Sequence, residues 1–442
     1  MSIVNTLTLN SNHKIQLSFN GGELSSDSGL FLLKEFISAI GLRGILEDTF
    51  KTTDVAKYRI HTDIENLLQT LYQIFGGYFE DNRADDLRNE PVISACLEKD
   101  SLASQPTLSR FFNRMDEQTL KQFNSILRQL RRKVYQVTGM PNLIIFDLDT
   151  TLLNTYGKQE GSAWNYHYQE EGYHPQLCYD GVTGDLIRTE LRDGTSYCSK
   201  DITDFMEPIF QEYIQDYRFS NMFVRGDSGF ATPELYKQCE KYGVQYVIRL
   251  KANATLKRLA EKLDKELFEK TKTDSVSYAA VYGEFMYQAG SWDIPRRVVC
   301  KVEKPAGIMI HQYTFIVTNM TASPSFVVNL YCKRGNMENF IKESKNDFDF
   351  SATSSSPKIV NANRLQIHAL AYNLVNWMRR LVFPMALRKW RMETIRLRLI
   401  KVASKVACHG RSIMYRLCST FPYKKEFVTI LDNISEFQIL CG

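Results

Sequence analysis

The sequence predicts a mixed α/β protein, with a sheet-bearing core in mid-chain and helical segments before and after it. Three observations carry this. Between Pro141 and Lys251, short apolar runs rich in β formers alternate with amphipathic stretches, in the order strand, strand, strand, helix, strand, helix, strand. The residues before Pro141 show helical periodicity instead. At 442 residues the chain exceeds one ordinary core, so two or three domains are expected.

Composition narrows the class. Hydrophobic residues make up 44% and charged residues 24%, as in ordinary globular chains and unlike disordered or collagen-like ones. No run reaches the ~18 apolar residues of a membrane span. The start, MSIVNTLTLNSNHKIQLSF, lacks the charged-then-apolar pattern of a signal peptide. Nine cysteines without a CxxC pair fit a reducing compartment, and Cys408-His409 has no matching partners for zinc. A cytoplasmic protein is expected, with no membrane partner.

The elements follow in order. After a short extended start, DSGLFLLKEFISAIGLRGILEDTF and HTDIENLLQTLYQIFGGYFED have helical periodicity, the second ended by Gly76-Gly77. PVISACLEKDSLASQPTLSRFFNRM reads as helix, turn, helix. Ser104 is positioned to cap, Pro106 fits the first turn, and Leu108, Phe111 and Phe112 face inward. Gln105, Thr107, Ser109 and Arg110 then face outward, the residue types that contact DNA edges and phosphates. An ordinary helical hairpin has the same pattern.

NLIIFDLDTTLL is a buried strand. HPQLCYDGVTGDLIRTELR is two strands joined by a tight turn containing Asp-Gly. SKDITDFMEPIFQEYIQDY is a helix, NMFVRGDSGF a strand entering a turn, TPELYKQCEKYG a helix closed by glycine, and VQYVIRLK a strand. From 252 to 325 the alternation stops; Tyr278, Val281, Tyr282, RRVVCKVEK and QYTFIVTNM suggest a β-rich insertion. A helix through Tyr331–Phe350 follows, then a Ser-rich loop and the amphipathic NANRLQIHALAYNLVNWMRRL. A basic C-terminal helix is expected last.

Net charge is only +5, but its distribution is uneven. From Arg379 to Arg416 eleven Lys/Arg stand against one acid, Glu393, and Arg128, Arg131, Arg132 and Lys133 form a second cluster. Such stripes are electrostatic footprints for a phosphate backbone, or simply solvated helix faces.

Carboxylates carry the candidate chemistry. Asp147 and Asp149 are two apart on one strand and so share a face. Asp227 ends a later strand, and ligands gather at strand ends in open α/β sheets. In YCKRGNMENFIKESK, helical geometry puts Tyr331, Arg334, Glu338 and Lys345 within about 60° of one another, while Glu343 points elsewhere. A carboxylate beside cations suits a site holding a metal and a phosphate together. Gly335 is the weak point of that helix, costing about 1 kcal/mol inside it, and offers an alternative start. Three acids from separate elements can hold two divalent metals about 3.5–4 Å apart, and hard Mg²⁺ prefers such oxygen donors.

These motifs resemble those of bacterial insertion-sequence DDE transposases. YCKRGNMENFIKESK matches their Tyr-x2-Arg-x3-Glu-x6-Lys signature without a gap. DTT at 149–151 and RGDSGF at 225–230 resemble the first- and second-aspartate motifs. QPTLSRFFNRM and RLRLIKVASKVACHGRSIMYRL add to the likeness, which spans nearly the whole chain. The resemblance implies an RNase H-like mixed sheet core with a β-rich insertion, a helical N-terminal DNA-binding domain and a helical C-terminal region. The corresponding map is 1–140 for DNA binding, 141–251 and 326–380 for the two parts of the core, 252–325 for the insertion and 381–442 for the basic end.

The resemblance further implies Asp149, Asp227 and Glu338 as the catalytic, metal-binding triad, with two Mg²⁺ or Mn²⁺. Asp147 is displaced as first ligand because DTT aligns on Asp149. Tyr331, Arg334 and Lys345 would bind phosphates of the cleaved end. Trp292, in GSWDIPRR, is a candidate for stacking on a flipped base, or a plain core tryptophan. The implied partners are double-stranded DNA, both transposon ends and target, and a second copy in a paired-end homodimer. The implied reaction cuts at terminal inverted repeats and joins the ends to target DNA, and the implied location is the cytoplasm, on the nucleoid.

Two other readings compete. FDLDTTL fits the Asp-x-Asp-x-Thr motif of haloacid-dehalogenase-type phosphatases, with Asp147 as nucleophile and Asp149 as general acid. Against it, that motif usually opens its fold, RGDSGF supplies one aspartate where two are usual, and the Tyr-Arg-Glu-Lys set has no role. A non-catalytic DNA-binding descendant of a transposase would have lost an acid, and all three stand here.

Overall fold

The computed structural model describes residues 6–56, 58–273, 276–308, 310–410 and 412–441. The chain divides into two compact units. One comprises Thr138–Lys342 with Thr353–Ala362; the other comprises Met1–Val137, Glu343–Ala352 and Asn363–Gly442.

The first unit is built on an eight-stranded mixed sheet. Its strands are β1 (Ile144–Thr150), β2 (Gln176–Asp180), β3 (Leu186–Glu190), β4 (Met222–Gly226), β5 (Gln245–Leu250), β6 (Ala279–Tyr287), β7 (Arg296–Lys304) and β8 (Gln312–Thr318). They lie in the order β6-β7-β8-β5-β4-β1-β2-β3. β1, β4 and β5 run parallel, while β2 and β3 fold back antiparallel beside β1. The first strand therefore sits centrally, between an antiparallel meander and two parallel strands. Its sequence, IIFDLDT, is mostly buried, as expected of a strand covered on both faces.

The turn after β2 is fixed by Asp180. Its Oδ1 accepts from the Val182 amide at 2.9 Å, and the Gly184 amide donates to its carbonyl at 2.8 Å. Helices Ile202–Gln211 and Pro233–Tyr242 join β3 to β4 and β4 to β5. Gly243, at φ +67°, closes the second as its sequence foretells.

The expected insertion differs from its prediction in one respect. It opens with two helices, Ala254–Leu259 and Glu261–Thr271, before β6–β8. ATLKRL and EKLDKELFEKT are rich in helix formers, and Asn253 caps the first by accepting from the Leu256 amide at 2.9 Å. β8 pairs with β5, so these strands extend the main sheet.

The second unit is mainly helical. Thr62 and Glu65 form a capping box at the start of Asp63–Gly76, and Gly77 ends it at φ +83°. Lys358–Val382 is a long helix whose residues from Asn361 to Arg379 are all buried. Two of its buried polar groups tie it to other stretches of the unit: Asn363 Oδ1 accepts from Thr119 at 2.7 Å, and Arg364 pairs with Asp81 at 2.8 Å.

The basic C-terminal helix is not formed. Beyond a short helical stretch, Met392–Ile395 and then Arg396–Ile400, residues Ser404–His409 and Ser412–Leu417 make an antiparallel hairpin, and the helix that closes the unit is Lys424–Cys441. The hairpin reverses between His409 and Ser412, with Gly410 at φ +58°; Arg411 lies outside the described residues. Four of the stretch's described cations serve internal contacts. Arg379 pairs with buried Glu343 at 2.7 Å, Arg391 with Asp347 at 2.9 Å, and Lys401 with buried Asp27 at 2.6 Å. Arg396 donates to the Phe75 and Asp347 carbonyls. The 128–133 cluster is likewise no single basic face, because Arg131 is buried.

Among the described residues no helix is long and apolar enough to cross a membrane.

Candidate active site

The site grows from the register of two parallel strands. In the pairing of β1 with β4, Asp147 stands opposite Arg225. Two residues further along β1, on the same face, comes Asp149, and Asp227 is the residue that follows β4. Both acids thus project from neighbouring strand ends. Each carboxylate's charge is felt by Arg334, and the charge of Asp227 by Asp149.

Asp147 and Arg225 are structural. The guanidinium grips both carboxylate oxygens, Nε to Oδ1 at 2.5 Å and Nη2 to Oδ2 at 2.6 Å, with 0% and 1% of the side chains exposed. Arg225 Nη1 also donates to the Leu330 carbonyl at 2.6 Å, anchoring the Pro324–Cys332 helix. Gly181 makes room for the pair, since a Cβ there would lie 2.5 Å from Asp147 Oδ2. A carboxylate so occupied is no nucleophile, which removes the geometric basis of the phosphatase reading.

Asp149 is differently placed. Its Oδ1 accepts from the Thr150 amide at 2.9 Å, and its Oδ2 meets Arg334 Nη2 at 2.8 Å. Burial raises its pKa, with Asp227 adding to the rise and Arg334 opposing it. Asp227 caps the turn after β4, its Oδ1 accepting from Gly229 at 2.8 Å. Cys198, missed in the sequence, adjoins both acids, its Sγ 3.4 Å from the Thr150 hydroxyl. Nothing in its spacing could have flagged it.

The predicted single helix through Tyr331, Arg334, Glu338 and Lys345 is broken. One helix ends at Cys332 and the next begins at Gly335, with Lys333 and Arg334 in a turn between them. Gly335, the weak point, is where the second helix starts. Freed from the helix axis, Arg334 reaches Asp149 and donates to the Leu148 carbonyl at 3.0 Å. Its Nε has no acceptor among the described residues. Tyr331 is half-buried against the Val247–Val328 core cluster and feels Arg334, Arg249 and Asp227. Glu338 is exposed in the first turn of Gly335–Asn346; Lys345, on its last turn, belongs to the helical unit. Glu343, set aside by helical geometry, is indeed turned inward, onto Arg379.

Hard oxygen donors on adjacent strand ends fit a divalent cation, with water and phosphate oxygens completing its shell. Among the described residues no group of three or more acidic, His or Cys side chains is clustered to hold a metal, so the donors brought together are Asp149 and Asp227.

Trp292 is packed, not displayed. It is 7% exposed, with Tyr236 and Tyr287 edge-on at 5.4 Å and the Arg296 guanidinium 5.8 Å from its ring. Its packing is that of a core tryptophan.

In the helical unit, Gln105–Phe112 is a helix with Leu108, Phe111 and Phe112 buried. Gln105, Thr107 and Ser109 are half-exposed and Arg110 is exposed. Ser104 does not cap through its side chain; its hydroxyl lies 3.1 Å from that of Thr107, while Asp85 accepts from the Gln105 amide at 2.9 Å.

A family model described as transposase DDE domain group 1 matches residues 7–439. The chain belongs to this DDE transposase family. The match runs through both units of the transposase, including Asp149, Asp227 and Glu338. Among solved structures it is similar to a piggyBac transposase synaptic complex with hairpin DNA, determined by cryo-EM. The two share 13% identity at a TM-score of 0.40, over 93% of this chain and 85% of that one. No curated protein matches the chain.

Proposed function

We propose that this transposase binds the terminal inverted repeats of an insertion sequence, cuts phosphodiester bonds at the element ends and joins those ends to target DNA. The observation that carries the reading is that Asp149, at the end of β1, and Asp227, just after the parallel β4, feel each other's charge, with Arg334 paired to Asp149. The strand order of β1–β5 supports an RNase H-like description of the core. Asp149 and Asp227 are the proposed metal ligands, joined by exposed Glu338 from the segment that also bears Arg334. Two Mg²⁺ or Mn²⁺ would supply charge neutralisation and an activated water or 3′-hydroxyl.

The chain's own residues position the strand. Arg334 has an unused N–H beside the acids, suited to a phosphate oxygen. Tyr331 and Lys345 are proposed as further phosphate contacts. Water attacks phosphorus, the P–O3′ bond breaks, and the element strand leaves with a 3′-hydroxyl. That hydroxyl attacks a target phosphate and releases a target 3′-hydroxyl. Each step makes one P–O bond and breaks one, so no external energy source is needed. Gln105, Thr107, Ser109 and Arg110 are proposed to contact end DNA, and a homodimer on paired ends, on the nucleoid, is the proposed working form.

The test is cleavage of a labelled duplex carrying the DNA that flanks this gene, with Mg²⁺ or Mn²⁺, comparing wild type with Glu338→Gln. A metal-dependent nick lost in the variant supports the reading. A nick that persists removes Glu338 from the site.

A further inference from the structure

The eight-stranded sheet has two unlike edges. At one, β3 is five residues long, bears Arg188 and Glu190, and pairs with β2 through a shifted register. Short length, charge and irregularity are the usual protections of a free edge. At the other, β6 is nine residues long and pairs with β7 in unbroken register, from Ala279 opposite Lys304 to Tyr287 opposite Arg296. Its sequence, AAVYGEFMY, contains no lysine or proline and one charged residue, Glu284. Among the described residues no strand pairs with its outer side.

One face of β6 is covered. The helix Glu261–Thr271 packs on the strand, so closely that a Cβ on Gly283 would lie 2.6 Å from the Leu263 side chain. Val281 is buried, and the Phe285 ring stands 6.3 Å from that of Phe315. The alternate residues face the other way: Tyr282 is 38% exposed and Met286 60%. Charge on that side is balanced within the sheet, where Glu284 pairs with Arg297, and Lys301 with Glu303 at 2.5 Å. The edge thus offers a row of main-chain donors and acceptors flanked by apolar side chains, with no net charge to repel a like strand.

We propose that this edge pairs antiparallel with the same edge of a second copy, joining two sheets into one across a two-fold axis at Gly283. The strand is self-complementary in that register. Tyr287 and Met286 of one copy fall opposite Ala279 and Ala280 of the other, Phe285 opposite Val281, and Tyr282 opposite Glu284. Long side chains meet shorter ones, and Glu284 does not face itself. An axis one residue later would set the two Glu284 carboxylates against each other. Main-chain hydrogen bonds hold such a pairing and alternate side chains fix its register. It needs no DNA, and so goes beyond a homodimer held on paired ends.

Sedimentation equilibrium without DNA tests the pairing, with thermal melting to check that each variant is folded. Wild type should dimerise, and amide exchange across Ala279–Tyr287 should slow as concentration rises. Tyr282→Glu sets a carboxylate opposite Glu284 at both ends of the axis and should weaken dimerisation about tenfold. Tyr282→Lys, at the same exposed position, sets an ammonium there and should keep the dimer. Within one chain the preference is reversed, because residue 282 lies opposite Lys301 on β7, so altered stability of the single chain does not imitate this result. A wild type that stays monomeric overturns the proposal and leaves the edge to a strand of another protein. A dimer that Tyr282→Glu leaves intact, or that both variants weaken alike, overturns it too. Cleavage by Asp149 and Asp227 is read separately in the nicking assay, so that reading stands or falls on its own.

Discussion

At the scale of single residues, the paired aspartates of one strand have opposite fates. Asp147 is locked to Arg225, so removing either partner strands a buried charge. Arg225→Met should cost ~3–5 kcal/mol in urea unfolding. Asp149 sits in a different balance, because burial and Asp227 oppose its charge while Arg334 supports it. Asp149→Asn should therefore abolish metal-dependent cleavage while leaving unfolding stability and end binding largely intact; loss of all three together would show a structural role instead. Asp149 and Asp227 were legible because acids at strand ends point to ligand sites. The role of Asp147 was not, since its partner lies 78 residues away and becomes its neighbour only through parallel register.

At the scale of elements, hydrophobic pattern announced the central strands and the Asp63–Gly76 helix with its cap. Two helices were misread. A tidy stripe of Tyr331, Arg334, Glu338 and Lys345 suggested one helix, but Gly335 restarts it and Arg334 gains its reach from the break. The acid-free stretch after Glu393 suggested a basic helix, yet Val406 in the strand Ser404–His409 and Gly410 beside its reversal were hairpin signals overshadowed by charge. The internal use of these cations has a measurable result. Lys401→Met, which leaves buried Asp27 without its ammonium, should lower stability by about 3 kcal/mol. It should not change the salt dependence of DNA binding, because a cation turned inward releases no counterions. A reduced salt slope would place Lys401 on the DNA.

For the molecule as a whole, acid should be a threat to the helical unit. His368 is buried on the long Lys358–Val382 helix, its Nδ1–H donating to the Phe348 carbonyl at 2.5 Å, and burial depresses its pKa to about 4. The neutral ring is the folded form, so its contribution is complete above the ordinary histidine value and is lost as pH falls from about 6.5 toward 4. The loss should approach ~3 kcal/mol, visible as a falling melting temperature, and His368→Gln should flatten that slope. The succession of strands and helices along the core was legible in the sequence, but not this burial, because helical periodicity does not say that a helix will be covered all round.

The division of the chain carries one more consequence. The helical unit is assembled from three separated stretches, and its central helix arrives only after residue 362. Residues 1–137 expressed alone would lack the partners of Thr119 and Asp81, and should remain unfolded in circular dichroism and amide exchange. Gene fusions or recombination events that swap one terminus for another would thus sever a shared interior. Such a protein is inherited whole: new specificity has to arise by substitution within it, not by trading parts with its neighbours.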